Sequence, residues 1–174
     1  MALKEILVEP NKILREKSLT VDEVDADLQK LMDDMLETMY AAPGIGLAAI
    51  QVGVPKRVIV LDLTKKDEPK NPMYFVNPEI VEKSKTNLTY EEGCLSVPGQ
   101  FAEIDRPDRC HIKYLDYYGA LKEIKAVGML ATCIQHEIDH LEGILFIDYL
   151  SKLKKSMIIK KLSKKKKVLE RIVV

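Results

Sequence analysis

The residues best suited to chemistry in this sequence are two histidines and a glutamate in the pattern H-E-x-x-H. His136, Glu137 and His140 lie in a segment whose apolar periodicity predicts a helix over residues 129–142. Because residues four apart share one face of a helix, both imidazoles can reach a single metal ion. Glu137 follows the first histidine directly, so its carboxylate can accept a proton from water at that ion. The spacing therefore predicts a catalytic divalent metal site.

A catalytic metal ion of this kind takes three protein ligands and keeps a further position open. Glu142 lies too close to the second histidine and off the ligand face, and Glu170 lies far downstream in a lysine-rich segment. His111, on a predicted strand, is one candidate for the third ligand. Cys94 is the better candidate because it lies in a glycine-containing bend that can direct a thiolate away from the backbone.

The elements that must position these residues are three helices and a series of short strands. Helices are predicted over residues 26–41, 129–142 and 151–171, and strands over residues 57–63, 73–76, 79–81, 109–117, 121–127 and 144–147. Asp25 is the expected N-cap of the first helix, and its methionine stripe indicates core packing. The order lacks a βαβ alternation, so we predict an α+β fold. Short antiparallel strands and hairpins would pack around a central H-E-x-x-H helix, with N-terminal and C-terminal helices beside them.

Composition excludes several classes of protein. The chain has 174 residues, of which 47% are hydrophobic and 31% are charged, which excludes a disordered or collagen-like chain. No apolar run approaches the roughly 18 residues of a membrane span, so we expect no membrane association. The N-terminus lacks the pattern of a signal or transit peptide, and the three cysteines are an odd number. A cytoplasmic location is expected, with Cys110 and Cys133 as small buried apolar residues.

The net charge of zero conceals a division of the chain into two parts. Residues 151–174 contain ten basic side chains and one acidic side chain, a net charge of +9. Residues 1–150 contain 17 basic and 26 acidic side chains, a net charge of −9. The sequence therefore predicts a catalytic domain over residues 1–150 and a basic C-terminal helix or tail over residues 151–174.

Three motifs occur in order along the acidic part of the chain. They are Gly44-Ile45-Gly46-Leu47-Ala48-Ala49-Ile50-Gln51, Glu92-Gly93-Cys94-Leu95-Ser96 and Gln135-His136-Glu137-Ile138-Asp139-His140. Each matches, without a gap, the corresponding motif of the peptide deformylases. The similarity covers nearly the whole chain to about residue 150. The chain thus resembles a bacterial-type peptide deformylase.

The resemblance implies a reaction and a set of site residues. The reaction is hydrolysis of the N-formyl group from the N-terminal methionine of newly synthesised polypeptides, with release of formate. The implied metal ligands are Cys94, His136 and His140, and the implied catalytic acid/base is Glu137. Gln51 and the Leu95 backbone N–H are implied to face the reacting carbonyl. Donor softness and geometry alone favour zinc. The resemblance implies one Fe²⁺ ion per chain, with Zn²⁺, Ni²⁺ or Co²⁺ as other occupants.

Further expectations concern the substrate. Gly44 and Gly46 permit close approach of a peptide backbone, which could add as a strand along this segment. Ile45, Ile134 and His136 are expected in the wall of a methionine pocket. The expected partners are N-formylmethionyl peptides and, through the basic helix, ribosomal RNA. A monomer is expected.

Two other functions fit parts of the sequence. A metallopeptidase of the H-E-x-x-H class would share two ligands and the glutamate. Its third ligand would lie downstream on another helix, where this sequence has no suitable residue. A nucleic-acid-binding protein would use the lysine-rich segment and show no hydrolytic activity.

Overall fold

The computed structural model describes residues 2–172 and has an α+β fold, as predicted. The strands are β1 Gly46–Ala48, β2 Val58–Leu61, β3 Met73–Lys83, β4 Asn87–Cys94, β5 Val97–Pro107, β6 Arg109–Leu115 and β7 Leu121–Val127. The helices are α1 Ala26–Ala41, α2 Met129–Leu141 and α3 Lys152–Ile172, with short 3-10 helices at Lys12–Arg15, Ala49–Val52 and Phe146–Tyr149.

Two antiparallel sheets surround α2. The larger sheet has the strand order β1-β2-β3-β6-β7, and β4 pairs with β5 in a separate two-stranded sheet. Ile134, Ile138 and Leu141 on one side of α2 are buried against large-sheet residues such as Ile59 and Ile112. The three are spaced four and three residues apart, so they form the apolar stripe that fixes the helix on the sheet.

Helix α1 covers the same sheet through its methionines. Met32, Met35 and Met39 are fully buried and cluster with Val58 and Val60 of β2. The Asp25 side chain accepts a hydrogen bond of 2.8 Å from the backbone N–H of Leu28, as expected for an N-cap. The methionine stripe is therefore core packing, as the sequence predicts.

Strand β3 is continuous where two strands were predicted. Pro78 lacks a backbone N–H and Asn77 has φ of 50°, but the ladder with β6 shifts register there and then resumes. The Asn77 side chain donates to the carbonyl of Val21 and accepts from its N–H, both at 2.8 Å. These two bonds hold the irregular residue in place, so the strand bulges without ending.

The prediction of a strand over residues 144–147 is wrong. Leu145, Phe146 and Ile147 are all buried, whereas a strand with one solvent-facing side would bury alternate residues. The carboxylate of Asp148 accepts the Leu145 N–H at 3.0 Å, which favours the 3-10 helix observed here. Helix α2 ends just before Gly143, as the sequence predicts. Gly143 has φ of 74°, a left-handed conformation that glycine commonly adopts just after a helix.

Helix α3 lies against strand β5 and the 3-10 helix Phe146–Tyr149. Leu162 is buried among Val97 and Ile104 of β5 and Phe146, and Lys155 Nζ lies 2.6 Å from the Asp148 carboxylate. Its other lysines are mostly exposed. Among the helices described for residues 2–172, none is both long and apolar enough to cross a membrane.

Candidate metal centre

Three side chains from two distant segments meet at one point. The ligand atoms of Cys94, His136 and His140 all lie within 4.8 Å of one another, an arrangement that could hold a metal ion. Cys94 Sγ lies 3.3 Å from His140 Nε2, and the two imidazole rings have centroids 5.1 Å apart. Cys94 ends β4, and the two-residue turn that follows brings β4 and β5 against α2. The cysteine favoured as third ligand therefore lies with both histidines.

His111, the other candidate for third ligand, lies elsewhere. It is on β6, where its Nε2 atom lies 2.7 Å from Glu123 Oε2, and it is outside the three-residue group. Cys110 and Cys133 are both buried, as expected. Burial raises the pKa of Cys110 to about 11 and that of Cys133 to about 12, so both thiols stay protonated at neutral pH.

Glu137 is buried beside the two histidines. Its Oε2 atom has no hydrogen-bond partner among the described residues, although the side chain is only 5% exposed. Burial raises the pKa of Glu137 to about 7, which is suited to accepting and returning a proton at neutral pH. Burial also holds the pKa of His140 well below its usual range, so this imidazole is neutral and able to bind a metal ion.

His136 is oriented by a hydrogen bond to Glu92 that sequence reasoning missed. Its Nδ1 atom lies 2.8 Å from Glu92 Oε2, which leaves Nε2 for the metal centre. Arg106 donates to both oxygens of Glu92, from Nε at 2.5 Å and from Nη2 at 3.0 Å, and its Nη1 donates to Asp139 at 2.8 Å. Burial opposes ionisation of Glu92, but its bonds to His136 and Arg106 hold the carboxyl pKa below its usual value. The only sequence signal was that Glu92 and Asp139 stand inside two of the motifs.

Gln51 is held with its amide donor towards Cys94. Its Oε1 atom accepts from the Ala48 N–H at 2.9 Å, which fixes the orientation of the amide. Its Nε2 atom donates to Ser96 Oγ at 3.1 Å and lies 3.5 Å from Cys94 Sγ. Leu95 lies in the turn between Cys94 and β5. Both residues line the same cavity as the centre.

This cavity has a volume of about 470 Å³. One wall comes from α2, where Met129, Thr132, Cys133, His136 and Glu137 recur at helical spacing. The opposite walls come from residues 43–46 and from the β4–β5 hairpin, including Phe101.

The predicted substrate-contacting residues fall into two groups. Gly44, Ile45 and Gly46 line the cavity. A Cβ atom on Gly46 would lie 2.5 Å from Glu137 Oε1, so glycine is needed for the backbone to pass this carboxylate. Ile134 is fully buried in the core and is not among the lining residues, so its prediction as a pocket wall is wrong. It lies on the far side of α2, and Cys133 beside it takes the cavity position.

The side chains present fit a divalent ion. A thiolate and two imidazoles suit Zn²⁺, Fe²⁺, Co²⁺ or Ni²⁺. The unpartnered Oε2 atom of Glu137 is the buried acceptor that a water molecule at such an ion would satisfy. A Cys-His₂ site with a buried glutamate at a cavity defines the class of metal-dependent hydrolases.

Comparisons with known proteins identify the family. A model of the polypeptide deformylase family matches residues 3–156. A peptide deformylase of Pelagibacter ubique is 66% identical over 164 residues, covering 94% of this chain and 95% of that protein. One from Maricaulis maris is 62% identical, covering 98% of both. The crystal structure of peptide deformylase from Ehrlichia chaffeensis has a TM-score of 0.92 and 45% identity, covering 96% of this chain and 98% of that one.

The chain belongs to the polypeptide deformylase family. It is a metal-dependent enzyme that removes the N-formyl group from the N-terminal methionine of newly synthesised polypeptides, releasing formate.

The hydrogen bond between Glu92 and His136 leads to a test of metal affinity. Glu92→Gln keeps the side-chain shape but removes the charge that orients His136, so metal affinity should fall about 10- to 100-fold. Competition for Zn²⁺ with a chelator measures the affinity, and circular dichroism checks that the variant is folded.

Glu91→Gln is the matched control, since it removes the same charge from the next residue, which is exposed. Equal affinities in the two variants would contradict the orienting role of Glu92.

Proposed function

We propose that Glu137 is the catalytic acid and base of deformylation. The proposal is supported by its burial beside His136, its pKa of about 7 and its unpartnered oxygen on the cavity side of α2. As a carboxylate, Glu137 accepts a proton from the attacking water, and as a carboxylic acid it returns that proton to the leaving amine. One residue can perform both steps because a pKa near neutrality lets both forms occur.

Cys94, His136 and His140 are proposed as the ligands of one divalent ion. Such an ion supplies Lewis acidity towards the formyl oxygen and lowers the pKa of water at the site. The mixed sulfur and nitrogen donors accept several ions, and the resemblance of the motifs to bacterial deformylases favours Fe²⁺ over Zn²⁺, Ni²⁺ or Co²⁺.

Gln51 and Leu95 are proposed to stabilise the charge that develops on the formyl oxygen. The amide of Gln51 is fixed by Ala48 and needs no reorientation when the oxygen becomes negative, and the Leu95 backbone N–H would be the second donor. Removal of one such donor typically costs about 3–4 kcal/mol in transition-state free energy. The peptide backbone would run beside Gly44, Ile45 and Gly46, where the absence of side-chain carbons at the glycines leaves room.

Formate release by protein purified without oxygen tests the catalytic assignment. The wild type should release formate from formyl-Met-Ala-Ala-Ala but leave acetyl-Met-Ala-Ala-Ala intact. Glu137→Gln should lower kcat about 10²- to 10⁴-fold, since it removes the group that transfers the proton. Elemental analysis should find one metal ion per chain in both proteins, with iron predominant.

Three results would contradict these assignments. Cleavage inside the peptides would favour the metallopeptidase, unchanged kcat in Glu137→Gln would exclude its proton-transfer role, and zinc in place of iron would overturn the choice of metal.

We also propose that residues 151–174 bring the enzyme to ribosomal RNA, while residues 1–150 carry out catalysis. The support is the net charge of +9 in a helix whose lysines are largely exposed, together with a substrate that emerges from the ribosome. One chain supplies the three proposed ligands and Glu137, so we propose a monomer that acts in the cytoplasm, where formylated chains are made.

Ribosome binding at several salt concentrations tests this role. Deletion of α3 is unsuitable because it would uncover the β5 residues beneath Leu162. Lys164→Gln/Lys166→Gln/Lys167→Gln should weaken binding and reduce the salt slope by about one unit for each lysine that contacts phosphate.

The matched control replaces Lys66, Lys85 and Lys122, which are exposed lysines of the body, with glutamine. If both triple variants bound ribosomes with the wild-type salt slope, the proposal would fail.

A further inference from the structure

The basic helix α3 lies against the same strand that forms a wall of the catalytic cavity. Residues 97–101, at the start of β5, line the cavity. Leu162 is buried against Val97 and Ile104 of that strand. The start of β5 therefore lines the cavity, while α3 packs on the same strand through Leu162.

One lysine of α3 reaches the cavity entrance. Lys165 lies one helical turn beyond the buried Leu162 and so shares its side of the helix. A Cβ atom built on Gly99 would lie 3.8 Å from Lys165 Nζ. Gly99 is exposed and lines the cavity, so the ammonium group of Lys165 stands beside the rim.

The charge of Lys165 contrasts with that of the cavity. Three acidic residues line the cavity, Glu91, Glu92 and Glu137, and its described lining includes neither lysine nor arginine. Over residues 2–172, the ion pairs that the structure forms do not include Lys165, whose side chain is exposed. The ammonium group is therefore available to a ligand that passes over Gly99.

We propose that Lys165 is a specificity-determining residue that contacts acidic side chains of the substrate in the few residues after formyl-methionine. This inference rests on the proposed function, in which the formyl group lies at the metal centre and the peptide backbone runs beside residues 44–46. The residues that follow would leave the cavity past the exposed Gly99. An acidic side chain is favoured where the peptide passes Gly99 and disfavoured beside Glu91. The preference therefore depends on position along the peptide.

The size of the preference for an acidic substrate residue depends on how exposed its ion pair with Lys165 is. Exposed ion pairs are weak and screened by salt, so the preference should be about two- to five-fold in kcat/KM at low ionic strength. It should shrink towards unity in 0.5 M salt, where the Debye length is roughly 4 Å.

Deformylation of matched peptides tests the inference. The substrates are variants of formyl-Met-Ala-Ala-Ala in which the second, third or fourth residue is replaced. At each position one peptide has Asp and its partner has Asn, so the two peptides of a pair differ mainly in charge. Wild-type enzyme should show the two- to five-fold preference for Asp at one or more of these positions. Lys165→Gln should lose the preference, and Lys165→Glu should reverse it.

Lys160→Gln is the control, because Lys160 lies two residues before Leu162 and thus on the opposite side of α3. This variant should retain the wild-type Asp-to-Asn ratio. An unchanged ratio in Lys165→Gln, or equal rates for Asp and Asn in the wild type, would overturn the inference. The absence of formate from all peptides, including those with Asn, would instead overturn the proposed function.

Discussion

The structure depends on holding a cysteine from a hairpin turn against two histidines on a buried helix. Cys94 is separated from His140 by 46 residues, and only the packing of the β4–β5 hairpin on α2 brings them together. Two polar networks fix this contact. Gln51 and Ser96 hold the turn on one side, and on the other the Arg106 guanidinium joins the hairpin residue Glu92 to Asp139 of α2.

The buried charges of these networks link stability to the geometry of the centre. Glu92 and Arg106 are both almost fully buried, and each satisfies the other. Loss of one partner from a buried ion pair typically costs about 3–5 kcal/mol, because it leaves an uncompensated charge. The same carboxylate bonds His136, so the interaction that joins the hairpin to α2 also sets the direction of a ligand. Over residues 2–172, no cationic side chain forms an ion pair with Glu137, and burial raises its pKa to about 7.

The parts of the fold with strong local patterns were predictable from the sequence. The bounds of α1 follow from Asp25 and the methionine spacing, and the metal-centre helix follows from its apolar stripe and Gly143. Failures arose where distant contacts override local signals, as with the Val21 bonds that keep β3 continuous through Pro78. The ion pair between Arg106 and Glu92 could not be predicted for the same reason. It joins strands β4 and β5, and no local sequence pattern specifies the register of that pair of strands. Ile134 was misplaced because sequence adjacency to Gln135 and His136 conceals which side of α2 it occupies.

The central claim is that Cys94, His136 and His140 together bind the catalytic ion. X-ray absorption spectroscopy at the metal edge, on protein purified without oxygen, tests this claim most directly. The account predicts one sulfur and two imidazole nitrogens around the metal, and loss of the sulfur signal in Cys94→Ser. A wild-type spectrum with nitrogen and oxygen neighbours alone, or a sulfur signal that persists in Cys94→Ser, would contradict the account.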